Sequence, residues 1–191
     1  VSVANAKSLA TDTTGTVTAT INTTQTVEEL AELRKPDGTN NETHAWTIAI
    51  KAGDVYNVAQ LNTINAATSV AIDASAVTGL ASDTISNIKT LLTAGNNTNQ
   101  FTANSFSNLT SVVVVGSSLD ASDLVDAIDQ ANIATGGSNT VFTIPYANTI
   151  TGTEADFSAL LTNETASQVY INYQNLIVNS GTVSYTHLTL P

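Results

Sequence analysis

The stretch SVVVVGSSLDASDLVDAI, Ser111 to Ile128, carries the reading of the fold. It opens on the β-branched run Val112–Val115, a residue type that suits an extended strand. Leu119 follows Val114 at a distance of five positions, and Leu124 and Ile128 then fall on one face of a helix. A change of apolar period within so few residues predicts a strand, a turn and a short amphipathic helix.

The same phrase returns along the chain, and repetition is the first thing to establish in any sequence. It is found in TVTATINTTQTVEELAEL (16–33), WTIAIKAGDVYNVAQLNTI (46–64), SVAIDASAVTGLASDTISNI (69–88), VFTIPYANTITGTEADFSALL (141–161) and QVYINYQNLIV (168–178). The closing residue of each run is Ile21, Ile50, Ile72, Val114, Ile144 or Ile171. A second apolar anchor follows five or six positions later, at Val27, Val55, Val77, Leu119, Ile150 or Leu176. Helical spacing continues from several of these anchors, as in Val27, Leu30 and Leu33, or Val55, Val58, Leu61 and Ile64. Thr26 with Glu29, Asp120 with Asp123, and Thr153 with Asp156 supply cap chemistry at the helix starts.

The closing residues advance by 29, 22, 42, 30 and 27 positions, differences that suit one strand and one helix per unit. Parallel strands joined by helical crossovers are the natural arrangement. The predicted fold is therefore α/β, a right-handed parallel solenoid of strand-helix coils, leucine-rich-repeat-like or β-helix-like and incomplete at both ends. Strands sit about 4.8 Å apart while helices need about 10 Å, so such a stack must curve or skip helices. Skipping is expected after Leu176 and in NNTNQFTANSFSNLT, where Phe101, Phe106 and Leu109 suggest a degenerate coil. An ordinary α/β domain with a mixed sheet is the structural alternative.

At 191 residues and 42% hydrophobic content the chain can build a substantial core. Five basic residues against sixteen acidic ones give a net charge of -11, a field that repels nucleic acid and anionic membranes. Charged residues are only 11% of the chain, so the acidity reflects scarce lysine and arginine, and the polar surface is Thr, Asn and Ser. With no cysteine there are no disulfides or thiolate sites. From the absence of methionine, Val1 is expected not to be a natural start. No apolar run approaches the roughly 20 residues of a membrane helix.

The end, VSYTHLTLP (Val183–Pro191), departs from everything before it. Written as GTC TCT TAT ACA CAT CTG ACG CTG CCG, it resembles a translated transposase sequencing adaptor. The expected organisation is a repeat domain over 1–181, part of a longer protein, and an artefactual or disordered tail over 182–191, in which His187 carries no function.

Few residues suggest chemistry. His44 has no spaced partners for a triad or a metal site and reads as a surface or strand-edge residue. Trp46 reads as a packed strand residue, with sugar stacking as the alternative. Asp120, Asp123, Asp126 and Asp129 read as a solvated helix face, since no calcium-loop motif is present. Gly136 and Gly137 read as a turn, and Glu154 with Asp156 as capping rather than acid-base chemistry. Asn22, Asn41, Asn96, Asn108 and Asn163 head Asn-x-Thr triplets, at the frequency so Asn- and Thr-rich a chain gives by composition. No catalytic, cofactor-binding or metal-binding residue is assigned, and no cofactor is expected.

The units AATSVAIDASAVTGL and TTGTVTATINTT resemble the Ala/Thr/Asp-rich repeats of very large secreted bacterial surface proteins of the hemolysin and adhesin kind. That resemblance covers most of residues 1–181 in composition and strand phrase. It implies an extracellular or cell-surface, non-enzymatic structural or adhesive module. Its partners would be neighbouring repeats of the same polypeptide and cell-surface or carbohydrate ligands, without nucleic acid or membrane insertion. The alternative is a polysaccharide-binding or polysaccharide-degrading solenoid, for which the scattered Lys7, Arg34, Lys35, Lys51 and Lys89 are poorly placed.

Overall fold

A computed structural model describes residues 1–34, 43–54, 56–137, 140–144, 149–162, 169–171 and 175–178. The chain begins with helix α1 (Val3–Thr11), strand β1 (Thr18–Thr20), helix α2 (Val27–Ala31) with a 3-10 turn over Glu32–Arg34, and strand β2 (Ala45–Thr47). Helix α3 (Val58–Ala67), strand β3 (Gly79–Asp83) and helix α4 (Ile85–Gly95) follow. Next come β4 (Ser111–Val114), β5 (Ser118–Asp120), α5 (Ala121–Ala134), β6 (Val141–Ile144), β7 (Thr149–Gly152) and α6 (Glu154–Thr162). The last strands are β8 (Val169–Ile171) and β9 (Asn175–Val178).

The helices start where side chains can satisfy their free N–H groups. Thr26 and Glu29 form a reciprocal capping box on α2, while Asn57 and Thr84 cap α3 and α4. Asp120 caps α5 through the Ser122 N–H, one residue short of the Asp123 partner its spacing suggests. Sequence neighbours pack against each other, α2 on α3, α3 on α4, α4 on α5 and α5 on α6.

All pairing among the described strands is parallel, and it divides into three sheets: β1-β2, β3-β4-β6-β8 and β5-β7-β9. This overturns the solenoid expected from the repeat. The fold is mixed α/β, with short parallel sheets and six helices among the described residues. Val114, Ile144 and Ile171 do share a sheet, but Ile50 and Ile72 belong to no strand. Isolated parallel bridges, His44 to Thr68, Ala49 to Asp73 and Ile72 to Phe101, stand there in place of a continuous ladder.

Two physical reasons account for the break. The segment after Ile72 turns, and β3 forms at Gly79–Asp83, past Val77 rather than at the run closed by Ile72. Its register against β4 then slips between Leu80 and Asp83. Helix width also exceeds strand spacing, and the segment between α4 and β4 forms turns instead of a helix, with Phe101, Phe106 and Leu109 fully buried. The recurring offset of five or six residues has a different meaning in the C-terminal half. There it separates two strands of two sheets: β4 from β5, β6 from β7, and β8 from β9.

The core lies between helices and sheets. Leu61, Ile64, Ile88, Leu91, Leu124 and Ile128 meet Ile72, Val112, Val114, Phe142 and Ile144, all at most 1% exposed. Phe101 and Phe106 sit with ring centroids 5.2 Å apart. Gly95, the last residue of α4, lies so close to Phe106 that a Cβ there would stand 2.7 Å from two ring atoms. Val55, residues 172–174 and the tail Val183–Pro191 fall outside the described residues.

Candidate functional site

Successive units are joined by polar side chains that reach from one to the next. Thr68 Oγ1 donates to the Trp46 carbonyl at 2.7 Å, Thr110 to the Thr78 carbonyl at 2.9 Å, and Thr140 to the Leu109 carbonyl at 3.0 Å. Each of these threonines immediately precedes an apolar run, SVAI, SVVVV or VFTI. Asparagines do the same at the helices: Asn62 Nδ2 donates to the Asn87 carbonyl at 3.1 Å, and Asn96 Nδ2 to Gln130 Oε1 at 2.7 Å. Asn108 Nδ2 reaches the Ser75 carbonyl at 2.8 Å. The Asp54 carboxylate accepts from the Val27 N–H at 2.6 Å, so a residue of the second unit caps the helix of the first. Sequence reading placed Thr and Asn among the polar groups facing solvent and marked Asn96 and Asn108 as heads of Asn-x-Thr triplets, although the threonine ahead of each run was the available signal.

His44 is buried rather than at the surface, at 3% exposure, because the chain around Val17 covers it. Its Nδ1 accepts the Val17 N–H at 3.2 Å, which places any single ring proton on Nε2. The ring lies 5.0 Å from that of Trp46. Trp46 is 1% exposed, so it packs as read from its strand and offers no face to a sugar.

Lys89 is held by two carboxylates. It donates to Asp126 at 2.8 Å and Asp123 at 2.9 Å, tying α4 to α5. The hydrogen bond to Asp126, then that to Asp123, holds its ammonium above the usual lysine range. A lysine kept protonated in this way is unsuited to nucleophilic or Schiff-base work. It borders a shallow groove of about 460 Å³ over α4, lined also by Asn65, Ser86, Thr90, Gln100 and Asp123. Thr90 Oγ1 is itself bound to the Ser86 carbonyl.

Asp156 accepts from both the Thr153 N–H at 2.8 Å and the Thr153 hydroxyl at 2.7 Å, and these bonds hold its carboxyl below the ordinary range. A carboxyl held ionised in this way cannot serve as a general acid at neutral pH, which agrees with capping. Gly136 and Gly137 take left-handed φ values of 67° and 87° and end α5, donating to the Ile133 and Asn132 carbonyls. Of the Asn-x-Thr triplets, Asn96 and Asn108 have their amide nitrogens engaged as above, and Asn22 is exposed in a turn. Asn41, Asn163 and His187 lie outside the described residues.

Among the described residues no group of three or more His, Cys, Asp or Glu side chains is placed to hold a metal ion, and no helix is long and apolar enough to cross a membrane. No protein-family model, curated protein or solved structure matches this chain.

Proposed function

We propose that this chain is a structural or adhesive module of a very large secreted or cell-surface polypeptide, working without catalysis by holding its place among neighbouring repeats. The observation that carries this reading is the use of Thr68, Thr110, Thr140, Asn62, Asn96 and Asn108 as ties between successive units. Six of the Thr and Asn side chains of this chain are thereby committed to cohesion along its length. The lack of cysteine and the acidity set by scarce lysine and arginine fit export in long polypeptides, as in the surface proteins whose repeats it resembles.

Two measurements test the reading. Stretched between its ends in an optical trap, the chain should unfold at a force that falls when Thr110→Val, Thr140→Val and Asn108→Ala are combined. An unchanged force would remove cohesion as the role of these ties. Release of reducing ends from any member of a polysaccharide panel would overturn the non-catalytic reading and favour a polysaccharide-acting protein.

A further inference from the structure

The groove of about 460 Å³ over α4 is built on three packed helices, with Asn65 on α3, Ser86, Lys89 and Thr93 on α4, and Asp123 on α5. Gln100 joins them from the turns after α4. Its backbone is fixed there, the N–H donating to the Asn97 carbonyl at 2.8 Å and the carbonyl accepting the Ile72 N–H at 2.9 Å. Lys89 clamps α4 to α5 through Asp126 and Asp123, so the walls stand without help from a ligand. Unlike the ties between units, the side chains of Asn65, Ser86, Thr93 and Gln100 spend no hydrogen bond inside the fold among the described residues. Lys89 has three N–H donors and spends two.

These free groups are two amides and two hydroxyls, and each side chain both donates and accepts. A sugar hydroxyl matches them, because it does the same. Charge points the same way. The Lys89 ammonium is already neutralised by two carboxylates, and a net charge of -11 repels anions. A cationic ligand would meet that ammonium in the wall. Ala94 and the methyl groups of Thr90 and Thr93 supply apolar contact for the C–H groups of a sugar ring. No aromatic side chain lines the groove among the described residues, so a flat aromatic ligand has nothing to stack on. The volume falls within the roughly 300–1,000 Å³ of small-ligand clefts.

The geometry points to a binding site for a neutral oligosaccharide in this groove. The free side chains of Asn65, Ser86, Thr93 and Gln100 and the third N–H of Lys89 are the groups that hold it. The assignment rests on the adhesive half of the reading above and names the ligand class through which the module holds a surface.

The test titrates the isotope-labelled chain with neutral trisaccharides of glucose, galactose, mannose and N-acetylglucosamine, and follows the side-chain amide signals of Asn65 and Gln100 by NMR. Trigalacturonate is the charged comparison and triserine the peptide comparison. At least one neutral trisaccharide should shift both signals with a Kd on the order of 1 mM. Asn65→Ala combined with Gln100→Ala should weaken that binding about tenfold or more, with the thermal melt unchanged because neither side chain bonds inside the fold. No shift with any neutral trisaccharide would overturn the site. So would tighter binding of trigalacturonate or triserine, or undiminished affinity in the double variant. The force in the pulling experiment is set by other side chains, so a silent titration with a lowered force removes the groove alone.

Discussion

Gly95→Ala sets two familiar effects against each other at one atom. Replacing glycine by alanine within a helix normally stabilises by about 1 kcal/mol, and Gly95 ends α4 without a left-handed φ to oppose it. The new Cβ, however, would stand 2.7 Å from both Cδ2 and Cε2 of Phe106, where carbon atoms prefer about 3.5–4.0 Å. Phe106 has no free direction in which to retreat, being 0% exposed and packed against Phe101. Overpacking a full core costs about 1–3 kcal/mol, so the clash should win and leave a net loss of about 1 kcal/mol. For a domain of this size that is a fall in Tm of about 2–4 °C, readable in thermal melts and urea titrations. Gly95→Ala combined with Phe106→Leu should lose less than the sum of the two single changes, because the smaller side chain vacates the disputed space. A Gly95→Ala protein as stable as the parent, or more so, would refute the close approach and the reasoning built on it.

Thr68→Val removes a hydroxyl that donates to the Trp46 carbonyl and accepts the Val70 N–H, at nearly constant volume. Unpaired buried groups should cost about 1–3 kcal/mol by urea titration. Lys89→Met should cost at most about 1 kcal/mol because the pair is partly exposed, and the loss should shrink in high salt. The folded state raises that lysine's pKa, so its contribution is complete below 10.5 and disappears as pH rises through the folded value. Asp156 has the opposite sign. Its folded pKa lies below 3.8, so its contribution is present above 3.8 and lost as pH falls through the folded value. Asp156→Asn should therefore flatten the acid limb of a Tm-against-pH curve, and an unchanged limb would contradict the cap.

Helices α2, α5 and α6 were legible because their causes are local. Val27, Leu30 and Leu33 with the Thr26–Glu29 box, or Leu124 and Ile128 behind Asp120, state both a face and a start within a few residues. Helix α1 escaped notice because its buried face is Val3, Ala6 and Ala10, where alanine gives little periodic contrast. Sheet membership was not legible, since an apolar run specifies extension but not a neighbour. Ile72 and Val114 close similar runs, yet one forms a single bridge to Phe101 and the other sits inside β4. His44 looked peripheral for a related reason, because Val17, which covers it, lies 27 residues away. Cap spacing located the Thr153–Asp156 pair because both partners lie within one turn, whereas the ties made by Asn62 and Asn96 depend on where the next helix lies.

The ties between units share an asymmetry. In all six, from Thr68, Thr110, Thr140, Asn62, Asn96 and Asn108, a main-chain carbonyl accepts, of Trp46, Thr78, Leu109, Asn87, Gln130 and Ser75 respectively. Every amino acid supplies that group, so the bond itself does not depend on the accepting side chain, although Trp46 and Leu109 are constrained by their burial in the core. At the exposed acceptors the hydrogen bond therefore places its demand on the donor's side chain alone.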